Sequence, residues 1–222
     1  TKAKVTLVEA HKMGGDCLNY GCVPSKALIK CAKVAHQMRH ADCYGLEPCV
    51  PEYSFAKVME RVHGVIASIA PHDSVERYSD LGVEVLKGHA KLIDPWTVEI
   101  TQEGHEARRL TTRAIIIATG ATPFVPSLPG LEEVTYLTSD TLWDTFRDHN
   151  KAPKRLVVLG GGPIGSELAQ SFARLGSKVT QIEKASRLMT YEDEEVSELV
   201  QASLSRDGVR VLTDHIALTC GV

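Results

Sequence analysis

Gly14-Gly15-Asp16-Cys17-Leu18-Asn19-Tyr20-Gly21-Cys22-Val23-Pro24-Ser25-Lys26-Ala27-Leu28 sets two cysteines, a glycine turn and a helix start in one short segment. On a regular helix, cysteines five positions apart lie roughly 8 Å from each other, beyond the ~5.5 Å between Cα atoms that a disulfide prefers. The chain must therefore bend between Cys17 and Cys22. Gly21 supplies a permissive backbone position, and Pro24 suits the first turn of a helix, where a missing N–H costs nothing. Cys22 then stands at a helix N-terminus, whose partial positive charge favours a thiolate. The pair reads as a redox-active disulfide. An inert structural pair or half of a metal site is the alternative for such cysteines.

The same fifteen residues resemble the active-site signature of the class I flavoprotein disulfide reductases, which include dihydrolipoamide dehydrogenase, glutathione reductase and mercuric reductase. Spacing, Asn19, Gly21 and the Val23-Pro24-Ser25-Lys26 tail match together. Asp16 and Tyr20 stand where the family usually has Thr and Val, and they look most like the mercuric-reductase-like branch. The resemblance implies Cys22 as the flavin-side thiolate, Cys17 as the thiol that exchanges with substrate, Gly15 and Asp16 at the FAD, and Lys26 beside the flavin ring.

Composition bounds the possibilities. The 222 residues, 43% hydrophobic, suffice for one large or two small domains. A net charge of −3 leaves no electrostatic footprint for nucleic acid. No apolar run approaches a membrane span, so no membrane contact is expected from this segment. Six cysteines in an ordinary composition fit a reducing, cytoplasmic compartment with one catalytic pair. Cys31, Cys43, Cys49 and Cys220 read as ordinary small residues. His36, His40 and Cys43 share helical spacing, but without a fourth ligand no metal site is assigned.

Upstream of the cysteines, Val5-Thr6-Leu7-Val8 reads as a strand closing on Glu9. An acidic residue there would hydrogen-bond a ribose if a glycine-rich turn preceded it by about 20 residues. By resemblance, Glu9 takes the ribose of FAD, and the family's first strand and phosphate turn lie before Thr1, so the chain reads as an internal fragment. Downstream, a helix is expected from Ser25 to about Arg39, and another capped by Ser54 that Pro71 interrupts. Short β segments from Val83 to Thr112 suggest an antiparallel meander. Ala114-Ile115-Ile116-Ile117-Ala118 reads as a strand buried on both faces. The resemblance places Ala90, Thr119 and Gly120 against FAD.

A second fingerprint needs no resemblance. Strand Arg155–Leu159, turn Gly160-Gly161-Gly162-Pro163-Ile164-Gly165, a helix, and strand Val179–Ile182 ending in Glu183 form a βαβ dinucleotide unit. Gly160, Gly162 and Gly165 let the chain turn and approach a pyrophosphate, while Glu183 favours NAD by repelling the 2′-phosphate of NADP. Lys184 and Arg187 would serve NADP if Glu183 turned away. Glu167 matches the family position that pairs with the lysine represented by Lys26.

The expected architecture is α/β: two Rossmann-like three-layer domains, both truncated, with a small antiparallel meander in the first. Residues 1–150 form the FAD-binding domain and 151–222 the NAD(P)-binding domain. The expected activity is transfer of electrons from NAD(P)H through FAD to the Cys17–Cys22 disulfide. A small-molecule disulfide, dithiol or mercuric ion is the expected substrate and a homodimer the full-length assembly. Dihydrolipoamide dehydrogenase running from dithiol to NAD, and a redox sensor without turnover, are the competing expectations. The fragment alone is expected to lose flavin.

Overall fold

The computed structural model describes residues 3–221. It is a mixed α/β structure with two parallel sheets and one antiparallel sheet. Strand β1 (Val5–Glu9) leads to a short helix α1 (Gly15–Asn19) and then to α2 (Cys22–Arg39). After a 3-10 turn and loop come α3 (Phe55–Ile69), a second 3-10 turn over Ala70–Asp73, and α4 (Val75–Asp80). Pro71 lies in that second turn, where the missing N–H stops α3. Ser54 is the N-cap of α3 by position, although its side chain makes no capping bond.

β2 (Val83–Lys87) pairs in parallel with β1, in register from Val5 with Val83 to Glu9 with Lys87. The sequence groups this strand with the β run that follows it, whereas the structure pairs it with β1. The meander itself holds β3 (His89–Asp94), β4 (Thr97–Thr101) and β5 (Arg108–Thr111), antiparallel in that order.

Ala114–Ala118 corrects a second expectation, because it forms no strand in the structure. Ile116 is 91% exposed and Ile117 69%. Apolar residues make a buried strand only where neighbouring strands take up the backbone N–H and C=O groups, and no described strand pairs with this segment.

Beyond it, α5 (Leu142–Thr145) precedes β6 (Arg155–Leu159), α6 (Pro163–Arg174), β7 (Lys178–Ile182), α7 (Glu194–Arg206) and β8 (Arg210–Leu212). The three strands are parallel in the order β6-β7-β8.

One buried cluster draws on both sides of residue 150. Leu28 from α2, Phe55, Met59 and Val62 from α3, Trp143 and Phe146 near α5, and Ala169 and Phe172 from α6 share it. The spacing of Phe55, Met59 and Val62 puts all three on one helical face, and each is fully buried. Phe55, Phe146 and Phe172 meet with ring centroids 5.7–6.1 Å apart, within the range of attractive aromatic contact. Helix α2, which starts at the second cysteine, is thus fixed from behind by α3 and α6. Among the described residues no helix is long and apolar enough to cross a membrane.

Candidate functional site

The bend between the cysteines is visible as a break between two helices. Cys17 lies in α1, whose last turn closes with Tyr20 N–H and Gly21 N–H both donating to Asp16 O, at 2.8 and 2.7 Å. Gly21 is the N-cap of α2 and Cys22 its first residue. A side chain at Gly21 would bring Cβ to 3.3 Å from Asp16 O, tighter than ordinary contact. Short helix α1 was not expected from the sequence, but the bend and the placement of Cys22 at a helix start were.

Cys17 and Cys22 are exposed free thiols. The Cys17 thiol is raised above its ordinary value, first by its hydrogen bond to Cys22, then by burial and by negative charge on Cys22. The two sulfurs therefore interact, in the direction that favours a proton on Cys17. Cys22 opens α2, an 18-residue helix, and its backbone N–H bonds the Cys17 sulfur, lowering that thiol against the larger raising influences.

Around this pair the other expected site residues fall into four groups. Lys26 Nζ donates to both Glu167 carboxylate oxygens at 2.7 Å, joining the fifth residue of α2 to the fifth of α6. Arg39 further along α2 donates to Arg174 O at the end of α6, at 2.6 Å. The helices therefore run in the same sense, and the cysteine bend and the α6 N-terminus share one end. Lys26 and Glu167 have side-chain exposures of 59% and 38%, so the ion pair contributes about 0–1 kcal/mol and its value is positional.

The second group ties Asp16 to the loop after the exposed apolar segment. Its Oδ2 accepts from Ala121 N–H at 2.8 Å. Gly120 has φ +69°, a left-handed backbone that favours glycine, and a Cβ there would lie 2.5 Å from the same oxygen, so a side chain would displace the Asp16 carboxylate. Thr119 is exposed beside it.

In the third group, Glu9 ends β1 with Oε1 accepting from His11 N–H at 2.6 Å, while its main-chain oxygen accepts from Gly88 N–H at 3.0 Å. Ala90 follows on β3, exposed and paired with Ile100. Gly15 has φ +58° with open space about it.

The fourth group is the glycine turn. Gly160 has φ +112°, and a Cβ on Gly165 would sit 2.6 Å from Gly160 O, so the helix can start this close to the strand only with glycine there. Gly162 is the N-cap of α6 and offers no side-chain cap, which leaves first-turn N–H groups available to an anion. Glu183 lies across the turn, its Oε2 accepting from Gly161 N–H at 2.5 Å and its Oε1 from Ala185 N–H at 2.7 Å.

The structure also engages Arg187, which donates to the carbonyls of Glu192 at 2.8 Å, Thr190 at 3.2 Å and Met189 at 3.5 Å. His36 and His40 stack at 4.2 Å, but α2 ends at Arg39, and His36 Nδ1 faces Asp207 Oδ1 at 3.1 Å. Their helical spacing therefore does not continue to Cys43.

Sequence reasoning missed Trp143. It is 3% exposed, and its indole N–H donates to Tyr20 O, inside the cysteine bend, at 2.8 Å. The helical spacing of Leu142 and Phe146 was the available signal for a buried segment here.

A family model described as pyridine nucleotide-disulphide oxidoreductase matches residues 1–217. The chain is 35% identical over 211 residues to a mercuric reductase of Bacillus cereus, covering 95% of this chain and 32% of that protein. It is 35% identical over 217 residues to a dihydrolipoyl dehydrogenase of Geobacillus stearothermophilus, covering 96% of this chain and 44% of that protein. An HOCl-induced flavoprotein disulfide reductase of Escherichia coli, solved as its Cu(II) complex, superposes with a TM-score of 0.76 at 25% identity. That match covers 98% of this chain and 45% of the other. The chain thus spans less than half the length of each of these relatives.

Proposed function

Because the chain belongs to the pyridine nucleotide-disulphide oxidoreductase family, one of FAD-binding, NAD(P)-dependent enzymes, we propose that its parent enzyme delivers electrons from NADH to a substrate through Cys17 and Cys22. Residues 1–150 serve as the FAD-binding domain and 151–222 as the NAD-binding domain. The carrying observation is the arrangement around α2: a paired thiol at its start, the Lys26–Glu167 bridge one turn on, and the glycine turn of α6 at the same end.

The residues present fit both cofactors. At the glycine turn, Gly165 lets α6 start against Gly160 O, Gly162 as the N-cap leaves first-turn N–H groups for a pyrophosphate, and Glu183 stands beside them for a ribose. Glu183 repels a 2′-phosphate, and Arg187, held by three carbonyls, is not free to attract one, which supports NAD over NADP. Glu9, Gly15, Asp16, Ala90, Thr119 and Gly120 would hold FAD, with Asp16 and Gly120 fixed against each other. When bound, the flavin supplies the two-electron relay between nicotinamide and sulfur.

Lys26 places a positive charge one turn beyond Cys22, held by Glu167. Cys22, at the helix start, is the flavin-side sulfur of the reduced pair, and the raised Cys17 keeps the proton. With a disulfide substrate, Cys17 attacks one sulfur as its proton passes to the expelled sulfur, forming a mixed disulfide and releasing the first thiol. Cys22 then attacks the Cys17 sulfur, restoring the protein disulfide and releasing the second thiolate. Two electrons leave the pair for each substrate disulfide reduced. None of the nine histidines is assigned the proton of Cys17. In the dehydrogenase direction, a dithiol would run the same exchanges backwards. Mercuric ion is the other substrate that the relatives suggest.

Cys22→Ser in the full-length enzyme tests this reading. Turnover should fall by at least about a thousandfold, and the long-wavelength thiolate-to-flavin absorbance should vanish on reduction. Persistence of that band would remove Cys22 from the flavin-side role.

A further inference from the structure

We infer that Trp143 is a positioning residue for the Cys17–Cys22 pair, acting through the single peptide unit on which the bend turns. The inference rests on the proposal that the pair cycles between dithiol and disulfide.

The Tyr20–Gly21 peptide joins the end of α1 to the N-cap of α2, so its orientation sets how closely Cys17 approaches Cys22. Both of its polar groups are bonded. Gly21 N–H donates to Asp16 O at 2.7 Å, from within the motif. Tyr20 C=O accepts the Trp143 indole N–H at 2.8 Å, from a residue 123 positions away. Hydrogen bonds at opposite ends of a planar group fix its tilt, and here one of the two comes from outside the motif.

Trp143 is well placed to hold that bond. Its ring is buried in the cluster with Leu28, Phe55 and Met59, and its own carbonyl accepts from His63 Nε2 at 3.2 Å, so α3 restrains the α5 segment in turn. Tyr20 is restrained on its other side, where the hydroxyl meets His11 Nε2 at 3.1 Å and Lys12 Nζ stands 5.1 Å from the ring centroid. A buried indole requires an acceptor for its N–H. The particular acceptor chosen is the carbonyl between the two cysteines.

The consequence concerns the dithiol more than the disulfide. A covalent S–S bond holds the bend by itself, whereas the reduced segment depends on hydrogen bonds to keep its thiols together, and the indole bond is the one that ties the bend to the buried cluster. Removing the indole donor frees the dithiol to open, which lowers the effective concentration of one thiol at the other. The disulfide then forms less favourably.

The experiment compares full-length wild-type protein with Trp143→Phe, which retains an aromatic ring but has no N–H. Both are equilibrated in dithiothreitol redox buffers, and mass spectrometry after alkylation reports the oxidised fraction of the pair. The equilibrium constant for forming the disulfide should drop by about three- to tenfold in the variant, the tenfold limit being about 30 mV for a two-electron couple. An unchanged constant in a folded variant overturns the inference alone. Failure of the wild type to form the Cys17–Cys22 disulfide in any buffer overturns the inference together with the proposed function. If Trp143→Phe does not fold, the wild type still decides: the slowly exchanging Trp143 indole N–H resonance in ¹⁵N-labelled protein should differ between reduced and oxidised forms. One resonance position common to both forms refutes the coupling.

Discussion

The two parallel sheets show what an apolar strand pattern needs before it becomes a strand. In the second, β6, β7 and β8 lie side by side, α6 crosses between the first two, and Phe172 and Val179 are buried beneath. In the first, β1 has only β2 beside it among the described residues, and Ile116 and Ile117 of the apolar run at 114–118 stand in solvent. Ile116 and Val179 belong to equally convincing stretches of sequence. One is 91% exposed and the other 3%. Pattern states a preference, and neighbouring strands decide whether it is satisfied.

The sharpest way to break this contrast is at the glycine turn. Gly165→Val places a branched side chain where even Cβ would sit 2.6 Å from a backbone oxygen that cannot swing away. The cost should be about 3 kcal/mol of stability, seen as a lower denaturant midpoint, with NADH affinity lost in a binding titration. A variant that bound NADH normally would show that this close approach does not shape the site.

Next in size is the pair of apolar truncations. Val179→Ala should cost about 2 kcal/mol by lost burial and a residual cavity. Ile116→Thr should change the stability of the 222-residue chain by no more than about 0.5 kcal/mol, because the side chain is exposed. The same Ile116 change should be costly in a longer protein if 114–118 gains strand neighbours there. Equal costs for both substitutions in this chain would contradict the exposure of Ile116.

These differences follow the range of the interactions involved. The βαβ unit from Arg155 to Glu183 was legible because its signals are local: an apolar strand, glycines that only a tight turn needs, and an acidic residue at the next strand end. Cys22 at a helix start was legible for the same reason, through Gly21 and Pro24. The Lys26–Glu167 bridge spans 141 positions, and only the family resemblance anticipated it. Trp143 was invisible because its meaning lies in an acceptor 123 positions away. The parallel pairing of β2 with β1 was hidden likewise, since β propensity marks a strand without naming its partner.

The smallest expected effect tests the seam between the two regions. His36 lies on α2, and Asp207, 4% exposed at its side chain, follows α7. Asp207 Oδ2 also accepts from Gln170 at 2.7 Å and from Arg174 at 2.9–3.0 Å. Desolvation, followed by the charge of Arg174, lowers the His36 pKa; Asp207 pulls it the other way, and His40 and Arg39 add to the lowering. The 3.1 Å contact is therefore better described as a neutral imidazole donating from Nδ1 than as a full ion pair, because the lowering influences outweigh the carboxylate. Tyr53 packs nearby with its hydroxyl donating to Leu175 O, and burial raises its pKa, so it contributes no charge near neutrality. With a folded pKa below the unfolded value of about 6.5, His36 binds fewer protons in the folded chain than in the unfolded one. Its contribution is fully present above that pH and declines as pH falls below it. His36→Gln should flatten the decline in denaturant midpoint between pH 7.5 and 5.5 while leaving the midpoint at pH 7.5 nearly unchanged. An undiminished slope in the variant would mean that other groups carry the acid sensitivity and that this seam is not where the two regions sense pH.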